Sequence, residues 1–575
     1  MFTVKKMLKL VGFIPITAMF VLMIAACEDL TGSSGQGPQD VLVTGMSLSQ
    51  TSPLSLDRGA HIVVYATVSP ETAVFQWVEW VSSDPDVVSV ARMPRAGVLT
   101  GPESAARLDA LSAGTSTITA TAMGGGAEEP TATITVTVTA RYLPSLHVGM
   151  AANAIHRNNW ASGIMISLTG TDGFDFENVS AQVRGRGNTT WWAMGEKRPF
   201  RIRFDQARPM FGSDYSARDW TIIANAADYS MLRQYSAYFL GRMLYYQSFA
   251  PAGHFVHVYL DGEYRGVYMI SDQMQVNPGR AELTANNNPA LSEFFLEWCG
   301  RSTDEEFHFL VCREETASAS DVSLRVDRLV FVVEFPGGGI LRQNLGHMEF
   351  VADFMTRVDR AIYGGDYGEV SQLIDVASFV DFYLVQELFR NHDSFWSSLF
   401  FQLKRTTDGS RLFAGPVWDF DLSAGNNFDG RSDYGPQGTW TARWNPWFRH
   451  LMDTEWFSQR VAERWGRIRD NEVAAMVDRI WELVGIYRFC FERNFERWPD
   501  KLGQNVWRED MSFQTPPTVM AIPDFIGNVE YLADWLGQRI TWMDGFLAPV
   551  SPAEAMRSRL ITPMDIPPIP AGGFW

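Results

Sequence analysis

Cysteine is scarce, with four in 575 residues. After Cys27 only Cys299, Cys312 and Cys490 remain, far apart and without a CxxC spacing, which excludes a disulfide framework and a structural zinc. Positive charge is also short: 48 Lys and Arg stand against 66 Asp and Glu, a net charge of -18. A surface of that sign repels phosphate backbones, so nucleic acid is excluded as a partner. Beyond Cys27 no stretch approaches the roughly 18 apolar residues needed to span a bilayer. No GxSxG elbow and no HExxH helix occur, so the nucleophile of an α/β-hydrolase and the ligands of a zincin are missing. No histidine cluster accompanies the aspartates, which weighs against a metal-dependent phosphatase or nuclease.

What the chain does have is apolar and aromatic mass: 46% hydrophobic residues, with 20 Trp, 38 Phe and 17 Tyr. It folds, and it exceeds the 250–300 residues at which a single core stops growing, so two or more domains are expected. Lys5, Lys6 and Lys9 precede a long apolar run ending Ile24-Ala25-Ala26-Cys27. That is a secretory signal over 1–27 closing on a lipobox-like site, with Cys27 as the lipidation point. Residues 28–41, rich in Ser and Gly, read as a flexible linker. From 42 to 140 short alternating segments such as HIVVYATV, STITATA and TATITVTVTA are parted by Gly, Pro and Asp, the texture of an all-β sandwich in which Trp77 or Trp80 supplies the core aromatic. Residues 141–548 mix α and β and end in a helical, Trp-rich part. The tail, 549–575, holds too much Pro to continue a helix.

Chemistry concentrates in GPVWDFDLSAGN, residues 415–426. Read as an extended strand, it puts Asp419 and Asp421 on one face and Trp418 and Phe420 on the other. Two adjacent carboxylates repel unless a cation joins them, and hard oxygen ligands suit Mg2+, Mn2+ or Ca2+. The elements before this pair follow an order. A turn, Arg184-Gly185-Arg186-Gly187-Asn188, precedes Lys197-Arg198-Pro199. A helix, a strand pair turned at Asp261-Gly262, a long helix ending Asn391-His392-Asp393 and a further strand come next. This is the running order of a protein-kinase core: Gly-rich loop, lysine, helix, hinge strands, catalytic aspartate, metal aspartate.

Two resemblances follow from these blocks. WVSSDPDVVSV and LSAGTSTITATA resemble the bacterial Ig-like domain of the group 2 type. RGRGNTTW with KRPFRIRF, DWTIIANAADYSMLR, FVHVYLDGEYRGVY, ELFRNHDSFWSSLFFQLK and AGPVWDFDLSAGN resemble, in order, the blocks of the CotH family of spore-coat and cell-surface kinase-like proteins. The second resemblance implies an atypical α+β protein-kinase-like fold with a helical C-terminal part, use of ATP with Mg2+ or Mn2+, and transfer of phosphate to Ser or Thr of surface or secreted proteins. It implies that Lys197, with Arg198 beside it, holds the nucleotide phosphates. Gly185, Gly187 and Asn188 would line the nucleotide, Asp393 would act on the acceptor hydroxyl, and Asp419 and Asp421 would hold the metal. Asn225, Asp228 and Arg233 match a polar block and read as structural: Asp228 as a helix-start acceptor of backbone N–H groups, Arg233 as a side chain suited to pair with a carboxylate. Two departures stand out. Ser398 occupies the place where ordinary kinases put a second metal ligand, and Asp272 stands where the family often has Glu. The protein is expected in the cell envelope, outside the cytoplasm, bound to membrane through its lipid only and acting on protein substrates there. The competing reading is a non-catalytic adhesion or coat-assembly protein that keeps the fold.

Overall fold

The computed structural model describes residues 41–547 except 74–76, 94–102, 124–128, 140–141, 245, 248, 301, 303–304, 313–327, 396, 428–434 and 506–513. The leader with Cys27, most of the linker and the Pro-rich tail lie outside the described residues.

Eight strands build the first unit: β1 (Gly45–Leu48), β2 (Leu54–Asp57), β3 (His61–Ser69), β4 (Trp77–Ser82), β5 (Val88–Met93), β6 (Glu103–Ala110), β7 (Gly114–Met123) and β8 (Thr131–Thr139). They form two four-stranded sheets, ordered β1-β3-β6-β5 and β2-β8-β7-β4. Alternation decides what goes inside: Ile118 of β7 lies opposite Ile134 of β8 and shares one core with Val136 and Val138, while Ala120 and Ala122 of β7 enter a second, all of them fully or almost fully buried. Of the two candidate tryptophans, Trp80 packs against the core, while Trp77 is exposed with Arg92 5.8 Å from its ring.

The second unit starts with a closed seven-stranded barrel made of β9 (Ser145–Val148), β10 (Ala161–Thr169), β11 (Phe176–Gly185), β12 (Phe200–Arg208), β13 (Ala217–Ile223), β14 (Gly253–Leu260) and β15 (Glu263–Asp272), in the order β10-β11-β12-β13-β15-β14-β9. Asp261 and Gly262 turn β14 into β15 with φ of +50° and +80°, the two left-handed residues that a tight hairpin demands. A five-stranded sheet follows, built from β16 (Phe294–Trp298), β17 (His308–Cys312), β18 (Arg328–Phe335), β19 (Leu399–Thr406) and β20 (Gly409–Ala414), with the order β17-β18-β16-β19-β20. The segments 294–299 and 307–312 do not pair directly: β18 lies between β16 and β17 and pairs with both. Cys299 and Cys490 are free, buried thiols.

Helices complete the unit: α1 (Thr189–Ala193), α2 (Arg233–Met243), α3 (Gly338–Gln343), α4 (Gly346–Gly364), α5 (Tyr367–Leu373), α6 (Val376–Phe389), α7 (Pro446–Asp453), α8 (Glu455–Ile468), α9 (Ala474–Arg497), α10 (Pro517–Met520) and α11 (Phe525–Leu547). Helix α6 is buried from Ser378 to Phe389, wrapped on every side; most of its residues are apolar, and its buried Asp381 and Glu387 are paired with Arg464 and Arg539. Asp375 caps its start by accepting from Ser378 N–H, and Arg390, at φ +45°, ends it. No helix among the described residues is long and apolar enough to cross a membrane.

One local expectation fails. Residues 415–420 are not a strand: β20 stops at Ala414, and Asp419 takes a left-handed φ of +63°. Period-two alternation therefore does not apply to the acidic pair, and its geometry has to come from the surroundings.

Candidate functional site

The site is assembled where the end of α6 meets the loop after β20. His392–Phe395 forms a short 3-10 turn carrying Asp393. Backbone bonds tie this stretch to the acidic loop: Ala424 N–H donates to Phe389 O at 2.6 Å and His392 N–H to Leu422 O at 3.4 Å. Ser398, at φ +57°, donates its hydroxyl to Asp419 Oδ2 at 3.2 Å. The position that resembles a kinase's second metal ligand is thus occupied by a side chain that orients Asp419.

Asp421 stands in a strongly acidic field. Burial, and then the charges of Asp419, Asp393 and Asp228, push its carboxyl well above the usual carboxylate range. Three aspartates, from three stretches of sequence, therefore act on Asp421. Asp228 is fully engaged: it accepts from Ser230 N–H at 3.0 Å, Ser230 Oγ at 2.7 Å and Arg233 N–H at 2.9 Å, and pairs with the Arg233 guanidinium. Arg233 Nε also donates to the carbonyls of Ser423 and Ala424, at 3.1 and 3.2 Å. The buried Asp228–Arg233 pair thereby clamps the acidic loop from behind.

The cation acting on the acidic pair is Arg186, from the Gly-rich turn. Its guanidinium carbon lies 5.3 Å from the Trp418 ring centre. Burial lowers its pKa, and Asp419, Tyr238 and Asp421 oppose that shift. Tyr238 stacks on Trp418 at 5.7 Å, and burial followed by the Asp419 charge holds its phenol well above the ordinary value. Lys197 is buried. Its Nζ donates to Ala224 O at 2.7 Å and lies 5.3 Å from the Tyr268 ring centre. Burial, assisted by Lys501 and opposed by Asp228, brings its ammonium down to about 7. The unfolded chain, near the ordinary 10.5, then binds more protons than the folded one between about pH 7 and 10.5, so stability rises with pH through that window. Lys197→Met should flatten this rise, read as melting temperature against pH from 7 to 10.

The glycines of the turn are spoken for by packing. A Cβ on Gly185 would lie 2.2 Å from the Trp191 ring, and one on Gly187, at φ +84°, 2.3 Å from Thr190 Oγ1. Gly185→Ala should cost about 1–3 kcal/mol through overpacking, visible as a lowered melting temperature without any nucleotide present. Asn188 is exposed and takes a 3.4 Å bond from Arg157. Arg198 is exposed too, 5.1 Å from the Trp191 ring centre. The structure thus gathers Asp393, Asp419 and Asp421, holds Lys197 buried against Ala224 and Tyr268 with Asp228 as the carboxylate acting on it, and leaves Asn188 and Arg198 at the surface. Asp272 points elsewhere, into a fully buried ion pair with Arg280 at 2.7 Å, with Tyr215 Oη donating at 2.6 Å.

Sequence reasoning missed Asn426 and Asn427. Asn426 Nδ2 donates to Ala227 O and Asp421 O at 2.9 and 2.8 Å, while its Oδ1 is buried with no partner. Both amide atoms of the fully buried Asn427 lack partners. The signal available was the doubled Asn directly after an acidic pair. Among the described residues no group of three or more His, Cys, Asp or Glu could hold a metal. The donor set here is different: two carboxylates and an unsatisfied amide oxygen, which fits a hard cation that keeps part of its water. A separate cleft of about 490 Å3, lined by Tyr246, Tyr367, Arg411, Arg460 and Arg464, opens at the start of α6, the opposite end from Asp393.

Comparison with known proteins adds the following. The model of the CotH kinase protein family matches residues 183–320 and 341–543, more than half of the chain. The model of the bacterial Ig-like domain (group 2) matches residues 42–136. No curated protein matches. Similar solved structures include the S-layer protein SbsC domains 4 and 5 (16% identity over 17% of this chain and 53% of that one, TM-score 0.15), SbsC domains 5-6 (12% identity, 40% and 97%, TM-score 0.15) and the D00-D0 domain of Intimin (11% identity, 31% and 89%, TM-score 0.14). The chain spans about half the length of the first of these, and TM-scores this low carry no structural argument.

Proposed function

Because this chain belongs to the CotH kinase family, we propose that it transfers the γ-phosphate of ATP to Ser or Thr of proteins at the cell surface. The observation that carries this reading is the set of unbalanced acids: Asp421 is buried in the field of Asp419, Asp393 and Asp228, beside an amide oxygen that lacks a partner. Such an arrangement calls for a cation. Asp419, Asp421 and Asn426 Oδ1 would hold Mg2+ or Mn2+, which when bound would screen the charge of the triphosphate. Arg186, above Trp418, is placed to meet phosphate oxygens from the other side with a planar, permanently charged fork. Asp393 would take the proton of the acceptor hydroxyl as its oxygen bonds to the γ-phosphorus. The bond from that phosphorus to the β–γ bridging oxygen breaks, and ADP leaves. Lys197 would support the nucleotide side of the site through the Ala224 backbone.

Placement outside the cytoplasm is part of the same reading. It draws on the Ig-like domain, on the basic and apolar leader, and on Cys27 as lipid acceptor. The test is melting of the full chain with ATP plus Mg2+ or Mn2+, followed by transfer of labelled γ-phosphate to itself or to added protein. A rise in melting temperature with either metal, together with transfer, supports the reading. No rise in either metal and no transfer would leave a passive surface protein.

A further inference from the structure

Three arginines converge on one indole. The guanidinium carbons of Arg184, Arg203 and Arg201 lie 4.8, 4.5 and 5.7 Å from the Trp160 ring centre. The β11–β12 ladder sets Arg184 directly opposite Arg201, with Arg203 two residues farther along and opposite Gln182. Their strand neighbours Val183, Ile202 and Phe204 are buried in the barrel core, so the arginines stand on its outer face. Like charges directly across a ladder destabilise it, and little nearby offsets them. Asp219 serves two at once, 2.9 Å from both Arg201 and Arg203. Glu334 also feels Arg201, but burial raises its pKa and weakens it as a counter-charge. Arg157 adds positive charge facing Arg184, whose Nε is buried with no partner. Arg203 gives the patch its open edge, with a side chain 34% exposed against 15% for Arg201. In a chain of net charge -18 this concentration of like charge is an exception.

Its position gives it a use. Strand β11 ends at Gly185, and the next residue, Arg186, reaches Trp418 beside the acidic pair. Arg184 is thus about 7 Å of extended chain from Arg186, and Arg201 and then Arg203 continue away from it. We propose that this face of the barrel, Arg184, Arg201, Arg203 and Trp160, binds the acidic flank of an acceptor protein, meaning Asp, Glu or previously phosphorylated Ser and Thr a few residues from the target hydroxyl. This rests on the kinase reading for its purpose but not for its measurement. A triphosphate is short and anchored at the acidic pair, whereas this row spans two strands in the manner of an extended peptide. Arginine forks suit carboxylate and phosphate alike.

The experiment is fluorescence anisotropy of labelled Ser-containing peptides on the purified full chain, without ATP. One peptide carries Asp and Glu beside the serine, one carries phosphoserine, one Lys, and one only neutral residues. The acidic and phosphorylated peptides are expected to bind at least 10-fold more tightly than the other two, with the advantage shrinking as salt rises. Arg203→Glu, at the most exposed member, should remove that advantage, and Asp419→Ala should leave it in place. The Asp419 variant separates the two ideas, since a failure of phosphate transfer would not touch this preference. Equal binding of all four peptides by the unaltered chain overturns the proposal. So does competition of ATP, without metal, for the acidic peptide combined with loss of ATP binding in Arg203→Glu, which would make the patch a nucleotide subsite.

Discussion

Asp419→Ala should abolish phosphate transfer, by at least on the order of 10²–10³-fold, the usual cost of deleting a charge-stabilising group from a catalytic site. The same variant should lose the rise in melting temperature that ATP gives with Mg2+ or Mn2+. Its structural cost should be small, because Asp419 is only partly buried and accepts a long, 3.2 Å hydrogen bond from Ser398 Oγ. There is a second, opposite signature. Asp421 has a folded pKa raised by burial and by Asp419, so the folded state holds its proton more tightly than the unfolded one. The stability this confers is present at low pH and fades as pH rises from the ordinary carboxylate value through the raised one. Removing Asp419 removes the largest neighbouring charge on Asp421, so the metal-free variant should lose less stability than the parent chain between pH 4 and 7. Melting curves across that range, with and without ATP and metal, check both halves. An Asp419→Ala variant that still shifts with nucleotide and metal would move the cation elsewhere and undo the proposed chemistry.

Asp228→Ala should be the most destabilising single change among those considered, by about 3–5 kcal/mol, because it leaves the Arg233 guanidinium buried without its counter-charge. The effect should reach the active loop. Arg233 also donates to the carbonyls of Ser423 and Ala424, so a displaced Arg233 lets that loop move and nucleotide binding falls with stability. The double variant Asp228→Ala with Arg233→Met should be less damaged than Asp228→Ala alone, since it deletes the stranded charge as well. Melting of the three chains side by side reads this non-additivity. Simple addition of two penalties would mean that the pair is held by its surroundings and not by mutual attraction.

Parts of this molecule were legible because short-range rules govern them. Alternation in STITATA and TATITVTVTA marks β7 and β8, Asp261-Gly262 marks a hairpin turn, and apolar residues at helical spacing mark the helix over 376–389. Asp228 read on the same basis as an acceptor of backbone N–H groups and Arg233 as a partner for some carboxylate; that this carboxylate is Asp228 came from the structure. Strand β6, ESAARLDA, escaped notice because its residues have weak strand preference; β3 and β5 on either side impose its conformation. The supposed strand at 415–420 failed for the converse reason. Its residues would suit a strand, but contacts made by distant residues hold it otherwise: Ser398 to Asp419, and Arg233 to the carbonyls at 423 and 424.

By itself the sequence determined the family, the sandwich ahead of an α+β unit, and which aspartates lie close to one another along the chain. Those properties depend on residue order, periodicity and local bonding. Only the tertiary structure decided that Arg186 faces the acidic pair while Lys197 is buried against Ala224, that the two asparagines after the acidic loop have atoms without partners, and that Arg184 stands opposite Arg201. Electrostatic fields and cross-strand register depend on separation through space, and residues far apart in the chain become neighbours only once the barrel closes and α6 is wrapped.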